Sequence, residues 1–209
     1  MRLLGHVPTS ALAVFAYGSL VDVASASRTL GRPVEQVRPA HLHGWRRRFS
    51  TARDNRRSEK TFARAQDGWV PPTVLVLNLE PHPEPAGEPV NGGLIEIGHD
   101  ELARLDAREL RYDRVDVTGS VQLVDVQGGV DPGPGRVYAY AARTEHLAEQ
   151  PPQDSVVLAG YASAVEKAFA TLGEEHVRAY RRSALPYPAP LMDGLLVGDD
   201  VAAGNPRGW

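Results

Sequence analysis

The sequence predicts an α+β fold in one domain, and three observations carry that expectation. Stretches rich in β-branched and aromatic residues recur six times along the 209 residues. Helical periodicity is confined to a few segments, and the two kinds of element do not alternate as a doubly wound sheet requires. The length suits one substantial core, so residues 1–209 are read as a single domain.

Strands are expected at residues 12–17, 41–50, 73–79, 93–97, 114–126 and 136–141, each flanked by Gly, Pro or Asp. Five or six strands make a sheet or a small barrel. The Gly- and Pro-rich run from Val126 to Gly135 is turn material that predicts an antiparallel hairpin between its flanking strands, and residues 80–89 form a Pro-rich surface loop of the same kind. Helices are expected at residues 22–30, at 101–109 with Asp100 as N-cap, from Ser155 to about Leu172, and at 174–182. From about Pro186, repeated Pro and Gly predict an irregular surface tail.

Composition narrows the function classes. Apolar residues are 42% of the chain and charged residues 23%, a globular rather than a disordered balance. The absence of cysteine excludes disulfides, thiolate nucleophiles and Cys-ligated zinc. A net charge of −3 provides no global field for nucleic acid or anionic lipid. No apolar run approaches the ~18 residues of a membrane span, and the first residues lack a signal peptide's apolar segment, so a cytoplasmic protein with no membrane partner is expected. Lys60 and Lys167 are the only lysines among 23 basic residues, and with 20 Gly and 17 Pro this usage fits a GC-rich bacterial genome.

Two motifs carry chemistry. Tyr17-Gly18-Ser19-Leu20 directly follows the apolar run Leu12-Ala13-Val14-Phe15-Ala16, so a strand breaks there into a Gly turn whose backbone N–H groups can face a carboxylate or a developing oxyanion. Some ninety residues later comes Leu105-Asp106-Ala107-Arg108-Glu109. At ~100° per residue, Leu102, Leu105, Asp106 and Glu109 fall within about a third of the helix circumference, so two acids share the apolar stripe. Periodicity leaves two readings open. Either a carboxyl is buried for use, or Glu109 lies at a frayed end in water while Asp106 pairs with Arg108 or Arg111. In the later helix Val157, Tyr161, Val165, Ala168 and Leu172 share a face, which places a phenol among core side chains where its hydroxyl needs a partner, either water at the core margin or a polar pocket beside Glu109.

Other candidates are weaker. His41 and His43 have the spacing of one strand face, but no third ligand joins them in sequence, so no metal site is expected. Residues 45–64 carry eight basic side chains with Trp45, Phe49 and Phe62 interleaved, a pattern open to a nucleic-acid module. The overall acidity and the impossibility of Arg46, Arg47 and Arg48 all facing one way on a strand favour a solvated face without nucleic acid.

Phe15-Ala16-Tyr17-Gly18-Ser19-Leu20, Leu42-His43-Gly44-Trp45-Arg46-Arg47-Arg48-Phe49, Gly92-Gly93-Leu94-Ile95-Glu96-Ile97 and the run from Leu105 through Tyr112-Asp113-Arg114-Val115 together resemble the γ-glutamylcyclotransferase superfamily, the AIG2-like and butirosin-type group. The resemblance spans roughly residues 12–117, with a looser match through the helix containing Tyr161. It implies a compact fold around a small mixed β-barrel flanked by helices, and a reaction in which a γ-glutamyl amine or peptide cyclises to 5-oxoproline and expels its amine. It implies Glu109 as the catalytic acid/base, Gly18, Ser19 and Leu20 as substrate binders through their backbone N–H groups, Tyr17 as pocket wall, and Tyr161 as a pocket phenol. The substrate is then a small γ-glutamyl molecule, with no cofactor or metal. The alternative is a non-catalytic member that binds a γ-glutamyl or amino-acid ligand. The sequence leaves open the amine leaving group and the oligomeric state.

Overall fold

A computed structural model describes residues 12–84, 86–124 and 135–200. In chain order they form β1 (Leu12–Ala16), α1 (Val23–Leu30), β2 (Arg38–Leu42), β3 (Trp45–Asp54), β4 (Lys60–Arg64), β5 (Thr73–Pro81), β6 (Val90–Ile97) and α2 (His99–Arg108). There follow β7 (Tyr112–Asp116), β8 (Val121–Leu123), β9 (Arg136–Ala142), β10 (Ser155–Leu158), α3 (Ala159–Ala170), α4 (Glu174–Ala184), β11 (Leu191–Met192) and β12 (Gly194–Asp199). The α+β class is as expected. The six-stranded sheet has the order β7-β9-β1-β6-β2-β8, a four-stranded sheet the order β11-β10-β5-β3, and β12 pairs with β4.

β1 lies between antiparallel β6 and parallel β9, and all five of its residues are buried. That central place explains why its sequence is an unbroken apolar run rather than an alternation. Leu12, Val14 and Ala16 face a core shared with the helices, while Ala13 and Phe15 face a second cluster with Leu42, Val90, Leu94 and Val137. The sheet curls around that second cluster. β7 and β8 stand at opposite edges, yet only residues 117–120 separate them. Five flat strand spacings would span ~24 Å, whereas that link reaches at most ~18 Å.

Curling stops short of the expected barrel, because the edge strands β7 and β8 do not pair and the sheets remain open. The expected hairpin across residues 126–135 is also corrected. β8 bonds to β2, and β9 bonds to β7 and β1, so the two flanking strands run to different places in the sheet. Residues 125–134 themselves lie outside the described ones.

Three further boundaries differ from expectation. Residues 155–158 are β10 rather than the first turn of a helix, a short apolar run that periodicity cannot assign. Val157 therefore belongs to a strand and not to the Tyr161 face. The presumed irregular tail carries β11 and β12, which pair with β10 and β4. In α2 the N-cap is Gly98, whose N–H donates to Glu101 Oε2 at 2.7 Å, and Asp100 sits inside the first turn. α1 is as expected: Asp22 caps it by accepting from the Ser25 N–H at 2.7 Å, and Gly31 closes it at φ 71°, a left-handed position that suits glycine.

The basic segment is a solvated face only in part: Arg56 and Arg57 are exposed, while Arg47, Arg53 and Lys60 are buried. Arg46 and Arg48 reach Glu80 at 2.8 and 3.2 Å. Arg47 points the opposite way and is 1% exposed, donating to Asn91 Oδ1 and Ser183 Oγ at 3.1 Å and to the Asn91 carbonyl, and lying over the Phe169 and Tyr180 rings. Burial pulls its guanidinium down to about 10, so it stays charged at neutral pH. His43 lies beyond the end of β2 and bonds Gln122, and among the described residues no cluster of three His, Cys, Asp or Glu is arranged for a metal. No described helix is long and apolar enough to cross a membrane.

Candidate functional site

The chain leaves β1 at Ala16 and turns at once into a single 3₁₀ turn, residues Ser19–Val21. The Val21 and Asp22 N–H groups donate to the Gly18 and Ser19 carbonyls at 3.1 and 3.2 Å. Being first in the turn, the N–H groups of Gly18, Ser19 and Leu20 have no acceptor within it. Tyr17 anchors the entry by donating its hydroxyl to the Tyr140 carbonyl of β9 at 2.7 Å. Gly18 has φ −139°, so it does not need glycine's left-handed freedom. What it provides is space: a Cβ there would lie 3.6 Å from Leu77 Cδ1 and 3.7 Å from the Tyr161 hydroxyl, inside the hollow that the turn borders.

Glu109 is the C-cap of α2, and its N–H closes the helix on the Leu105 carbonyl at 2.9 Å. The helix axis ends there, which lets this side chain turn inward instead of fraying into water. It is 18% exposed and has Arg108 Nε at 3.5 Å. Burial pushes its carboxyl above the ordinary range, with Arg108 pulling the other way.

Asp106 is different. It is 44% exposed, ion-paired to Arg114 at 2.6 Å, and accepts the Tyr140 hydroxyl at 2.7 Å. Its partner is thus neither Arg108 nor Arg111, and the expectation of two acids buried on one stripe is corrected to one. Because Tyr140 in turn accepts from Tyr17, Asp106 bears on the entry to the turn rather than on Glu109.

One hollow of about 860 Å³, counting its open mouth, is lined by Tyr17, Gly18, Ser19, Leu20, Glu109 and Tyr161. The structure therefore brings the turn, Glu109 and Tyr161 together and leaves Asp106 outside. Tyr161 rises from α3 beside Phe49, whose ring meets it edge-on at 6.2 Å between centroids.

Sequence reasoning missed the rest of the lining. Tyr112 donates to the Leu77 carbonyl at 2.7 Å, and Tyr140 joins from β9. Burial raises the phenols of Tyr17, Tyr112, Tyr140 and Tyr161, so all four remain protonated donors at neutral pH. Arg53, Arg108 and Arg111 also line the hollow with Glu59, which Arg111 grips through two bonds of 2.6 and 3.1 Å. Tyr112 stood in a quoted motif without a role, and the arginines carried no signal because charge runs in sequence do not show which side chains converge.

The fold is similar to solved structures of low sequence identity. A structure titled gamma-glutamyl cyclotransferase specific to glutathione, from yeast, is 14% identical, with a TM-score of 0.53, over 85% of this chain and 98% of that one. Another, titled gamma-glutamyl cyclotransferase, is 14% identical with a TM-score of 0.53 over 82% and 86% of the two chains. YkqA from Bacillus subtilis is 18% identical with a TM-score of 0.50, and the chain covers 56% of its length with 87% of its own. No curated protein sequence matches the chain significantly. The family model described as gamma-glutamyl cyclotransferase, AIG2-like, matches residues 14–157, which hold the turn, Glu109 and all of the lining except Tyr161, and the chain belongs to that family.

Proposed function

We propose that the chain is a γ-glutamyl cyclotransferase with Glu109 as its general acid/base. The observation that supports this most is the shared hollow: a sheltered carboxyl with a raised pKa and a turn of backbone donors line the same space. A carboxyl moved toward neutrality is better matched to both accepting and returning a proton near the operating pH.

In the proposed reaction the nitrogen of the neutral α-amino group of the γ-glutamyl unit attacks the γ-carbonyl carbon and gives one of its two protons to the Glu109 carboxylate. A new C–N bond closes the five-membered ring, and the carbonyl oxygen becomes an oxyanion facing the N–H groups of Gly18, Ser19 and Leu20. Collapse breaks the original amide C–N bond. The leaving nitrogen takes the proton back from Glu109, releasing 5-oxoproline and a free amine, and the atoms balance with no further reactant. Nucleophile and carbonyl belong to one molecule, so proximity is largely supplied by the substrate. Tyr17 and Tyr161 hold the folded conformer.

Release of 5-oxoproline from a panel of γ-glutamyl amines tests the reading. Wild-type protein is expected to turn over at least one member, and Glu109→Gln to lower kcat by about 10²- to 10⁴-fold. An equally active Glu109→Gln would overturn the assignment. Ligand-induced thermal stabilisation of wild-type protein with no product would instead make the chain a binding member of the family.

A further inference from the structure

The last described strand has an open edge. β12 pairs antiparallel with β4 and with no other described strand. In such a ladder, opposite residues alternate between exchanging both backbone bonds and exchanging none. Phe62 of β4 uses its N–H and its carbonyl on the Asn55 side chain, at 2.9 and 2.8 Å, and Arg64 gives its N–H to the Trp69 carbonyl at 2.8 Å. Their opposite residues, Leu196 and Gly194, therefore turn their own N–H and carbonyl groups away from β4. The outer edge of β4 is closed by Asn55 and Trp69, whereas that of β12 presents the backbone groups of Gly194 and Leu196 to an edge where no described strand lies.

The side chains do not protect that edge. Leu195, Leu196 and Val197 are 57, 48 and 59% exposed, and the two leucines lie on opposite faces, Leu195 beside Ala63 and Leu196 beside Phe62. Natural edges are ordinarily blunted by lysine, proline or a bulge. β12 has neither lysine nor proline, and its register shift falls after Leu196, beyond the two open residues. Exposed acids bracket the apolar run, Asp193 before it and Asp199 and Asp200 after it. The cations of β4 are already engaged: Arg64 is held by Asp67 at 2.9 Å, and Lys60 is buried opposite Asp199.

That charge pattern chooses the occupant. Antiparallel pairing of β12 with the same strand of a second copy would bring Asp193 of each toward Asp199 and Asp200 of the other, and like charges set opposite are destabilising. We infer that the open edge of β12 takes an extended segment of another protein as an added strand, one with β-branched apolar residues between flanking lysines or arginines. Backbone bonds from Gly194 and Leu196 hold the segment, Leu195, Leu196 and Val197 cover its side chains, and Asp193 and Asp200 set the preference for basic ends. This interaction stands apart from the chemistry at Glu109 and does not depend on it.

Fluorescence anisotropy with three labelled nonapeptides tests the inference. The first has five alternating valine and threonine residues between two lysines at each end. The second has glutamates in place of the lysines, and the third has glycine and serine in place of the five central residues. The first is expected to bind saturably and at least about tenfold more tightly than either of the others. No binding of the first peptide, or equal binding of either control, would overturn the inference. Leu196→Pro removes an outward N–H without costing a bond to β4, and is expected to abolish binding. Asp193→Asn combined with Asp200→Asn is expected to narrow the preference for lysine over glutamate ends. Should Leu196→Pro fail to fold, the double variant decides alone, and an unchanged preference counts against the inference. Amide hydrogen exchange identifies the edge itself: the Leu196 N–H is expected to exchange fast in the free protein and to slow when the first peptide binds. Slow exchange in the free monomer would mean that the chain covers its own edge, and a dimer in sedimentation that Leu196→Pro dissociates would put a second copy there; either result overturns the inference.

Discussion

Gly92 joins the packing of the sheet to the geometry of the site, and Gly92→Ala tests that connection. A Cβ at this position would lie 2.3 Å from the Ala16 carbonyl oxygen and 2.5 Å from Phe15 Cζ. An ordinary contact is longer by ~1 Å, and the first obstacle is backbone in a strand paired on both sides, so it cannot rotate away. β1 and β6 must separate there. Overpacking costs about 1–3 kcal/mol, and a backbone obstacle places this case near the upper end. For a chain of this length that corresponds to a fall in Tm of about 6–12 °C. Ala16 directly precedes the turn, so the same displacement moves the N–H groups of Gly18, Ser19 and Leu20 relative to Glu109. A shift of ~1 Å is expected to lower kcat/KM by about 10²-fold. Circular-dichroism melting and 5-oxoproline release measure the two effects, with Gly119→Ala, whose Cβ meets nothing within 4 Å, as control. A Tm within about 2 °C of wild type would refute the argument, because it would mean the strands part without cost.

Other expectations follow from single contacts. Glu109 has a raised pKa, so its contribution to stability is complete below its ordinary value of 4.5 and is lost as pH rises through the folded value; Glu109→Gln is expected to flatten the decline in Tm above that point, and a parallel decline in both proteins would contradict it. Gly18→Ala meets only van der Waals neighbours at 3.6 and 3.7 Å with φ already negative, so Tm should hardly change while the added methyl lowers kcat/KM about tenfold or more. Asp106→Asn breaks an exposed ion pair and keeps an oxygen for Tyr140, so a stability loss below about 1 kcal/mol is expected by denaturant titration. Arg47→Ala removes bonds to Asn91 and Ser183 and the stack on Phe169 and Tyr180, and is expected to cost at least about 3 kcal/mol in the same titration.

What could be read from the chain itself is what neighbours in sequence decide. The apolar run of β1, the helix α1 and the break at Tyr17-Gly18 are local, and the structure contains each of them. The opposition of Arg47 to Arg46 and Arg48 followed from strand alternation alone. Where the reading went astray, the missing information was a partner. Residues 155–158 look apolar in either state, and pairing with β5 and β11 makes them a strand. Leu195, Leu196 and Val197 are 48–59% exposed, so no burial pattern marks β12, whose strand state rests on backbone bonds to β4.

The candidate site divides in the same way. Local sequence was enough to nominate a turn of backbone donors and a carboxyl near a helix end, because strand breaks and helix caps are set by a few adjacent residues. Periodicity did not distinguish Glu109 from Asp106, three residues earlier; the resemblance named Glu109, and the tertiary structure gives the physical difference, since one is enclosed beside Tyr17, Tyr112 and Tyr161 while the other meets Arg114 at the surface. That structure alone brought Arg53, Arg108 and Arg111 into the lining of the same hollow. Burial and electrostatic field depend on what several distant segments bring to the same place, and no window along the chain contains that sum.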